Sequence, residues 1–319
     1  MSDAQTTAAG TTGTMEGHAG APPSSKQPGR DKPRSLGRDA WEDLRRNWIF
    51  WTASVLIFFL LVMALFPGLF TNTDPAATDL ALSRRGPGPG APFGYDTQGR
   101  DVFARTIYGA RASILVGFFA TAFATILGSL VGVLAGFYGG WTDTILSRIT
   151  DVFFAIPLFL GAILFLFAFP SGEATSELAA TTKVAIALAI LGWTVATRIM
   201  RSSVIQVKQA DFVQAARALG ASNGAIIRRH VLPNALTPVI VVATISLGVY
   251  ISAEAALSYL GIGLQPPVVS WGIAISDAQT YLRVSPHMMM FPIIFLSVTI
   301  LAFIMLGDAV REALDPKLR

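Results

Sequence analysis

The hydrophobic positions fall in long unbroken runs rather than in an alternating or heptad pattern. Charge-free apolar runs occupy residues 49–70, 112–138, 152–170 and 288–306, and a further run, 235–264, is interrupted only by Glu254. A helix rising about 1.5 Å per residue needs about 20 mainly apolar residues to cross about 30 Å of hydrocarbon. Another run, 184–197, is short, and it spans only if Lys183 and Arg198 extend it by reaching outward to the headgroups. Lipid offers no partner to backbone N–H and C=O groups, so segments of this length are helices and not barrel strands. The pattern predicts an all-α membrane protein with six transmembrane helices.

Composition agrees. Apolar residues make up 52% of the 319 and charged residues 14%, against roughly a quarter charged in an ordinary soluble domain. That deficit excludes a soluble enzyme or a secreted module. The absence of cysteine removes disulfides, thiolate catalysis and Cys-ligated zinc together. Three histidines, His18, His230 and His287, lie far apart in the chain, so no metal site is expected.

Charge placement orients the spans. With the N-terminus in the cytoplasm, 17 of the 24 lysines and arginines fall on the inner side, and the positive-inside rule then puts both termini of this multi-pass chain in the cytoplasm. Residues 1–47 form an expected disordered cytoplasmic tail, lacking apolar periodicity and showing no signal peptide. The first transmembrane helix is assigned to 48–70, with Trp41, Trp48 and Trp51 suited to the interface. An external loop, 71–111, follows. It contains Gly-Pro-Gly-Pro-Gly-Ala-Pro at 86–92, which forms neither helix nor strand. Val102, Phe103, Thr106, Ile107 and Ala110 then recur at helical spacing, as in a short interfacial helix; a plain lead-in turn to the second span fits equally. Residues 112–308 hold the other five spans, and 309–319 form a cytoplasmic C-terminal tail.

Within the second span, Ala120, Ala124, Gly128, Gly132 and Gly136 repeat every four residues. Such a stripe lets two backbones approach closely. Gly128, Gly132 and Gly136 are therefore candidate helix-packing positions, against this chain or a partner subunit.

The stretch between the fourth and fifth spans, 202–233, carries the strongest signal. Ile205, Phe212, Ala216 and Leu219 share one helical face, and Gly220 is the residue type that ends a helix in a left-handed cap. Ser222 is placed to cap a second short helix, which Pro233 is expected to end. Ala215, Ala216, Gly220 and Ala221 leave a bend with almost no side-chain bulk, shaped for docking by another protein. A helix-turn-helix bearing Arg228 and Arg229 is the DNA-binding alternative, but membrane spans tie it at both ends, and no nucleic acid is expected. An ordinary loop with snorkelling arginines is the other reading.

Gln214, Ala215, Ala216, three residues, Gly220, nine residues, His230, then Leu232 and Pro233 resemble the "EAA" loop of ABC importer permeases. The fuller Ala-Arg-Ala-Leu-Gly-Ala-Ser at 216–222 is similar to the C-type permeases of the dipeptide, oligopeptide and nickel branch. Three more stretches share the resemblance: Phe-Gly-Tyr-Asp-Thr-Gln-Gly-Arg-Asp at 93–101 with Ile-Tyr-Gly-Ala-Arg at 107–111; 253–272 with its Gln-Pro-Pro and Ser-Trp-Gly; and the tail 307–319. The resemblance covers residues 93–319 and implies the type I ABC importer transmembrane fold. Gln214 stands where the family usually has Glu, Tyr95 where it has Thr, and Gln98 where it usually has an apolar residue.

The resemblance also implies roles. Gln214, Ala215, Ala216, Arg217, Gly220, Ala221 and Ser222 would couple the permease to its ATPase. No Gly-x-x-x-x-Gly-Lys-Ser/Thr phosphate cradle is present, so ATP and Mg would be bound by partner subunits and this chain would hold no cofactor and catalyse nothing. The implied assembly is a homologous permease, as a heterodimer, with two ATPase subunits and an external solute-binding lipoprotein, embedded in lipid. Its solute would be a dipeptide or oligopeptide, with nickel second.

Glu254 is the only acidic residue deep in a span, and intramembrane ionisable groups are functional candidates. In the permease reading it sits near the outer end, paired or hydrogen-bonded at a gate. The alternative is an ion-coupled secondary transporter using its carboxylate.

Overall fold

A computed structural model describes residues 36–170 and 176–314. The tail through residue 35 and the final residues 315–319, the end of the last motif, lie outside the described residues. Eleven α-helices form among those described: α1 (Leu36–Arg46), α2 (Trp48–Leu65), α3 (Val102–Tyr138), α4 (Gly140–Phe154), α5 (Leu158–Ala168), α6 (Glu177–Val207), α7 (Asp211–Ala218), α8 (Asn223–Ile226), α9 (Leu232–Tyr259), α10 (Trp271–Ala278) and α11 (His287–Leu314).

Three sequence expectations change, and a fourth, the extension of the short run past Lys183 and Arg198, is met by a longer helix. The stretch expected to be a disordered tail is helical from Leu36, and Asn47, between α1 and α2, accepts from the Ile49 N–H at 2.8 Å. No separate interfacial helix precedes the second span: α3 runs unbroken for 37 residues. Asp101 starts it, its carboxylate accepting from the N–H groups of Phe103 and Ala104 at 2.7 and 3.2 Å. The run 152–170 is not one straight helix, because α4 and α5 meet at 84° across the Ala155–Ile156–Pro157 break. Pro157 has no N–H to continue the ladder and disfavours helical backbone before it. The short run 184–197 is the middle of a 31-residue helix, α6, extended at both ends by polar residues that its apolar face carries along.

Among the described residues, five helices are long and apolar enough to cross a membrane, and the bent α4–α5 pair makes six if counted as one. The core sits between α3, α6 and α9, where Val116, Ala120, Val184, Leu188, Trp193, Tyr250 and Leu257 are buried together. Small residues set the spacing. A Cβ on Gly128 would lie 2.6 Å from Ala196 Cβ, one on Gly132 2.7 Å from Met200 Cβ, and one on Gly136 3.0 Å from Val204 Cβ. Each pair has the same offset in sequence, so α3 and α6 run parallel in fixed register. Gly307 of α11 similarly meets Ile245 of α9.

Candidate functional site

At the end of the bundle where α3 and α6 finish, α7 and α8 form a short hinge of two helices. Val213 is fully buried there and packs with Val133, Phe137, Met200, Val204, Ile226 and Val231. The inward face of α7 is thus Val213 with half-buried Ala216, not the expected Phe212 and Leu219. Phe212 is 46% exposed and Leu219 88% exposed. A one-position rotation explains the difference: the compact Val213 fits the pocket formed by Val133, Phe137, Met200 and Val204, and the bulkier Phe212 and Leu219 are left outside it.

Gly220 closes α7. Its φ of +79° lies in the left-handed region, its N–H reaches Arg217 O at 3.0 Å, and the Ala221 N–H reaches Ala216 O at 3.1 Å. That bond pair is a Schellman cap, completed by the packing of Ala216 and Ala221 beside one cluster. Space around Gly220 is open, with no atom within 4 Å of where a Cβ would be. Ser222 then caps α8, accepting from the Ala225 N–H at 3.4 Å. Pro233 does not end that helix. A π-turn, Ile227–Val231, carries the chain directly into α9, and Pro233 lies in the first turn of α9, where a missing N–H costs little. Gln214, Ala215 and Arg217 remain exposed on the outer surface of α7.

Three contacts missed in the sequence hold this end rigid. Lys208 Nζ donates to Gly136 O at 2.8 Å and Phe137 O at 3.2 Å, placing a cation on the C-terminal carbonyls of α3. Gln214 Nε2 donates to Lys208 O at 3.2 Å. Arg198 of α6 pairs with Asp151 of α4 at 2.9 Å and covers the Phe154 ring at 3.7 Å. The partners of Lys208 at the end of α3 and of Arg198 on α4 are tens of residues away in sequence, and no local spacing signals them.

The opposite end carries residues 71–101, α10 and the start of α11. Asp96 pairs with Arg100 at 2.6 Å and with Arg105 at 3.6 Å, and Asp277 of α10 meets the same two arginines at 3.1 and 3.5 Å. Phe93 stacks on Phe291 of α11 with ring centres 3.7 Å apart. The loop is therefore pinned to α3, α10 and α11.

Glu254 lies just inside this end and is fully buried. Its Oε1 accepts from Ser258 Oγ at 2.8 Å, and that hydroxyl accepts from the Leu264 N–H at 3.0 Å. Oε2 has no hydrogen-bond partner within bonding distance, although the Ser113 and Ser270 hydroxyls lie near the carboxyl. Trp271 Nε1 donates to Thr106 O at 2.8 Å, and a Cβ on Gly272 would meet Ala255 O at 2.7 Å. Glu254 thus sits where α3, α9 and α10 are packed without slack. Among the described residues no cluster of three His, Asp or Glu side chains is placed to hold a metal ion.

Residues 128–319 match the family "Binding-protein-dependent transport system inner membrane component", and residues 35–87 match the "N-terminal TM domain of oligopeptide transport permease C". The chain belongs to the first of these families, the membrane permeases of ABC importers. Similar curated permeases include the dipeptide transport system permease protein DppC of Alkalihalophilus pseudofirmus, 37% identical over 88% of this chain and 90% of that one. The oligopeptide transport system permease protein OppC of Bacillus subtilis is 37% identical over 90% and 92%. The glutathione transport system permease protein GsiD of Shigella flexneri is 38% identical over 91% and 93%. A chain of the inward-facing MetNI methionine ABC transporter superposes with a TM-score of 0.52, at 21% identity, over 65% of this permease and 95% of that chain. That likeness concerns the fold: this permease has the type I ABC importer transmembrane architecture. Family membership supports the ATP-driven permease over the ion-coupled carrier.

Proposed function

We propose that this permease forms half of a peptide translocation pathway, beside a homologous permease subunit, and is driven through α7 and α8 by two ATPase subunits. The observation that carries the reading is the Schellman-capped α7. It turns Gln214, Ala215, Arg217 and Leu219 outward on a rigid mount, with open space at Gly220 and with Ala221 and Ser222 leading into α8. ATP and Mg belong to the partner subunits, and an external solute-binding lipoprotein delivers the solute. Dipeptides and oligopeptides are the cargo favoured by the names of its relatives.

In this reading both termini and α7 are cytoplasmic, in line with the excess of lysine and arginine on that side. ATP-driven closure of the ATPases brings the docking helices of the two permeases together. The α3–α6 register and the Lys208 cap transmit that movement to the spans, shifting the population from an inward-facing to an outward-facing cavity. Glu254, near the outer end, lies buried where α3, α9 and α10 meet, as part of the outer gate.

Co-purification of this permease with its ATPase subunits tests the docking assignment. Gly220→Arg strains the left-handed turn and fills the open space beside it, so capture of the ATPases falls. Retained capture by Gly220→Arg, with uphill transport by vesicles holding this chain alone, sinks the reading.

A further inference from the structure

Among the described residues, one cleft at the outer end is bounded by charge of both signs. It encloses about 260 Å³ and is lined by Pro75, Tyr108, Arg111, Glu177, Pro267 and Val268, among others. Arg111 projects from α3 and Glu177 from the first turn of α6. Both are exposed, and among the described residues no ion pair links them to each other or to a third residue.

Their closeness follows from the helix register. The offset that pairs Gly128 with Ala196, Gly132 with Met200 and Gly136 with Val204, carried back along two parallel helices, sets Arg111 level with Ala179, half a turn from Glu177. Packed helices have axes about 8–10 Å apart. A cation and an anion thus face one cleft across a helix spacing without satisfying each other. The remaining lining is apolar or aromatic, with Tyr108 and Pro267 offering flat surfaces and Val268 a buried floor. Such a cleft suits a small molecule bearing both a carboxylate and an ammonium, as a short extended peptide with free termini does.

Resting on the peptide-importer reading above, we infer that the Arg111–Glu177 cleft is a contact site for the free termini of a short peptide on its way into the pathway. The Arg111 guanidinium takes the C-terminal carboxylate in a forked pair of hydrogen bonds, and the Glu177 carboxylate takes the N-terminal ammonium. Because the cleft is open to water, each contact is brief, and a transport site must release as readily as it binds.

The test uses the complete transporter in proteoliposomes, with its ATPases and with binding protein loaded to saturation. The cargo is trialanine with free termini, N-acetyl-trialanine or trialanine amide. Arg111→Gln lowers the maximal rate for free trialanine about tenfold, the size of one lost charge-assisted contact, and leaves the rate for the amide unchanged. Glu177→Gln does the same toward the acetylated peptide. The KM for loaded binding protein stays constant in both variants. Both side chains are exposed, so thermal unfolding of the variants matches the parent, and Arg111→Lys restores part of the rate.

A raised KM for binding protein at unchanged maximal rate overturns the proposal in favour of a binding-protein docking surface. Parental rates for all three peptides in both variants overturn it outright. A parent transporter that moves no peptide, while another loaded solute is transported, removes the peptide reading and this contact with it. Parental peptide transport that is indifferent to Arg111 and Glu177 removes the contact alone.

Discussion

Arg201 of α6 grips Asp143 of α4 in a forked pair of hydrogen bonds, Nε to Oδ1 at 2.5 Å and Nη2 to Oδ2 at 2.7 Å. Asp143 also accepts from Ser147 Oγ at 3.1 Å. The two side chains are 37% and 23% exposed, so water screens the pair and its coupling stays near about 1 kcal/mol. A double-mutant cycle with Asp143→Asn and Arg201→Lys, read by thermal unfolding in detergent, is expected to return a coupling of that size. Lys holds the charge but loses the fork. A coupling indistinguishable from zero would remove this pair from the account of how α4 follows α6.

The glycine register of α3 makes a sharper prediction. A Cβ at Gly132 lies 2.7 Å from both Met200 Cβ and Thr197 O and 3.0 Å from Arg201 N, and the last two are backbone atoms that cannot swing aside. Gly132→Ala is expected to destabilise the permease by about 1–3 kcal/mol. At Gly224, where a Cβ meets nothing within 4 Å, the same change is expected to leave stability within about 0.5 kcal/mol. Fluorescence-detected unfolding of the two variants compares them directly; equal melting would mean that α3 and α6 are not held at this spacing.

How much of this was legible beforehand depends on the range of the interaction. The spans were visible because burial in lipid demands runs of one chemistry, and the Gly220 bend because only glycine takes φ of +79° without strain. The 84° break between α4 and α5 was hidden inside a charge-free run, where Pro157 was its single sign. The facing of α7 was misjudged because Phe212, Val213, Ala216 and Leu219 allow two helical stripes, and only the packing of Val213 under α3 and α6 chooses between them. Lys208, Asp143 with Arg201, and the Asp96–Arg100–Arg105–Asp277 cluster were invisible as pairs, since charges meeting across separate helices leave no local pattern.

Glu254 offers a test of a buried polar node. Glu254→Gln keeps an oxygen for the Ser258 hydroxyl, whose own acceptance from Leu264 N–H is undisturbed. Glu254→Ala removes that oxygen and opens a void between α3, α9 and α10, a loss of about 2–4 kcal/mol. Thermal unfolding is expected to rank the proteins parent, Gln, Ala, with Gln close to the parent. Transport lost in the Gln variant without loss of stability would instead assign the carboxylate a proton-carrying role.

Lys208 links the end of α3 to the mount of α7. Replacing it by Met leaves Gly136 O and Phe137 O without their cation and loosens the 208 carbonyl that holds Gln214. One lost charge-assisted bond in a part-exposed site is about 1 kcal/mol, equivalent to about fivefold in a local opening equilibrium. Amide hydrogen exchange across α7 should therefore quicken about fivefold in Lys208→Met while exchange in the centre of α9 is unchanged. Unaltered α7 exchange would show that the cap does not brace the docking helix.

Gln214 brings these threads to the surface proposed above to meet the ATPase. As Gln, it spends its amide N–H on Lys208 O at 3.2 Å and presents a neutral oxygen outward. Gln214→Glu cannot donate to that carbonyl, so the carboxylate turns away from Lys208 O toward solvent, where a basic partner can meet it. Charge-assisted contacts are about twice as strong as neutral ones, a difference of about 1 kcal/mol, so the variant is expected to bind the ATPase subunits about fivefold more tightly. The gain should shrink with added salt, because the new contact is exposed. Surface-plasmon titration of ATPase onto captured permease at two salt concentrations measures both effects. A variant that binds no better at low salt would mean that residue 214 does not face the partner's basic surface, and that Arg217 and Leu219 carry the docking instead.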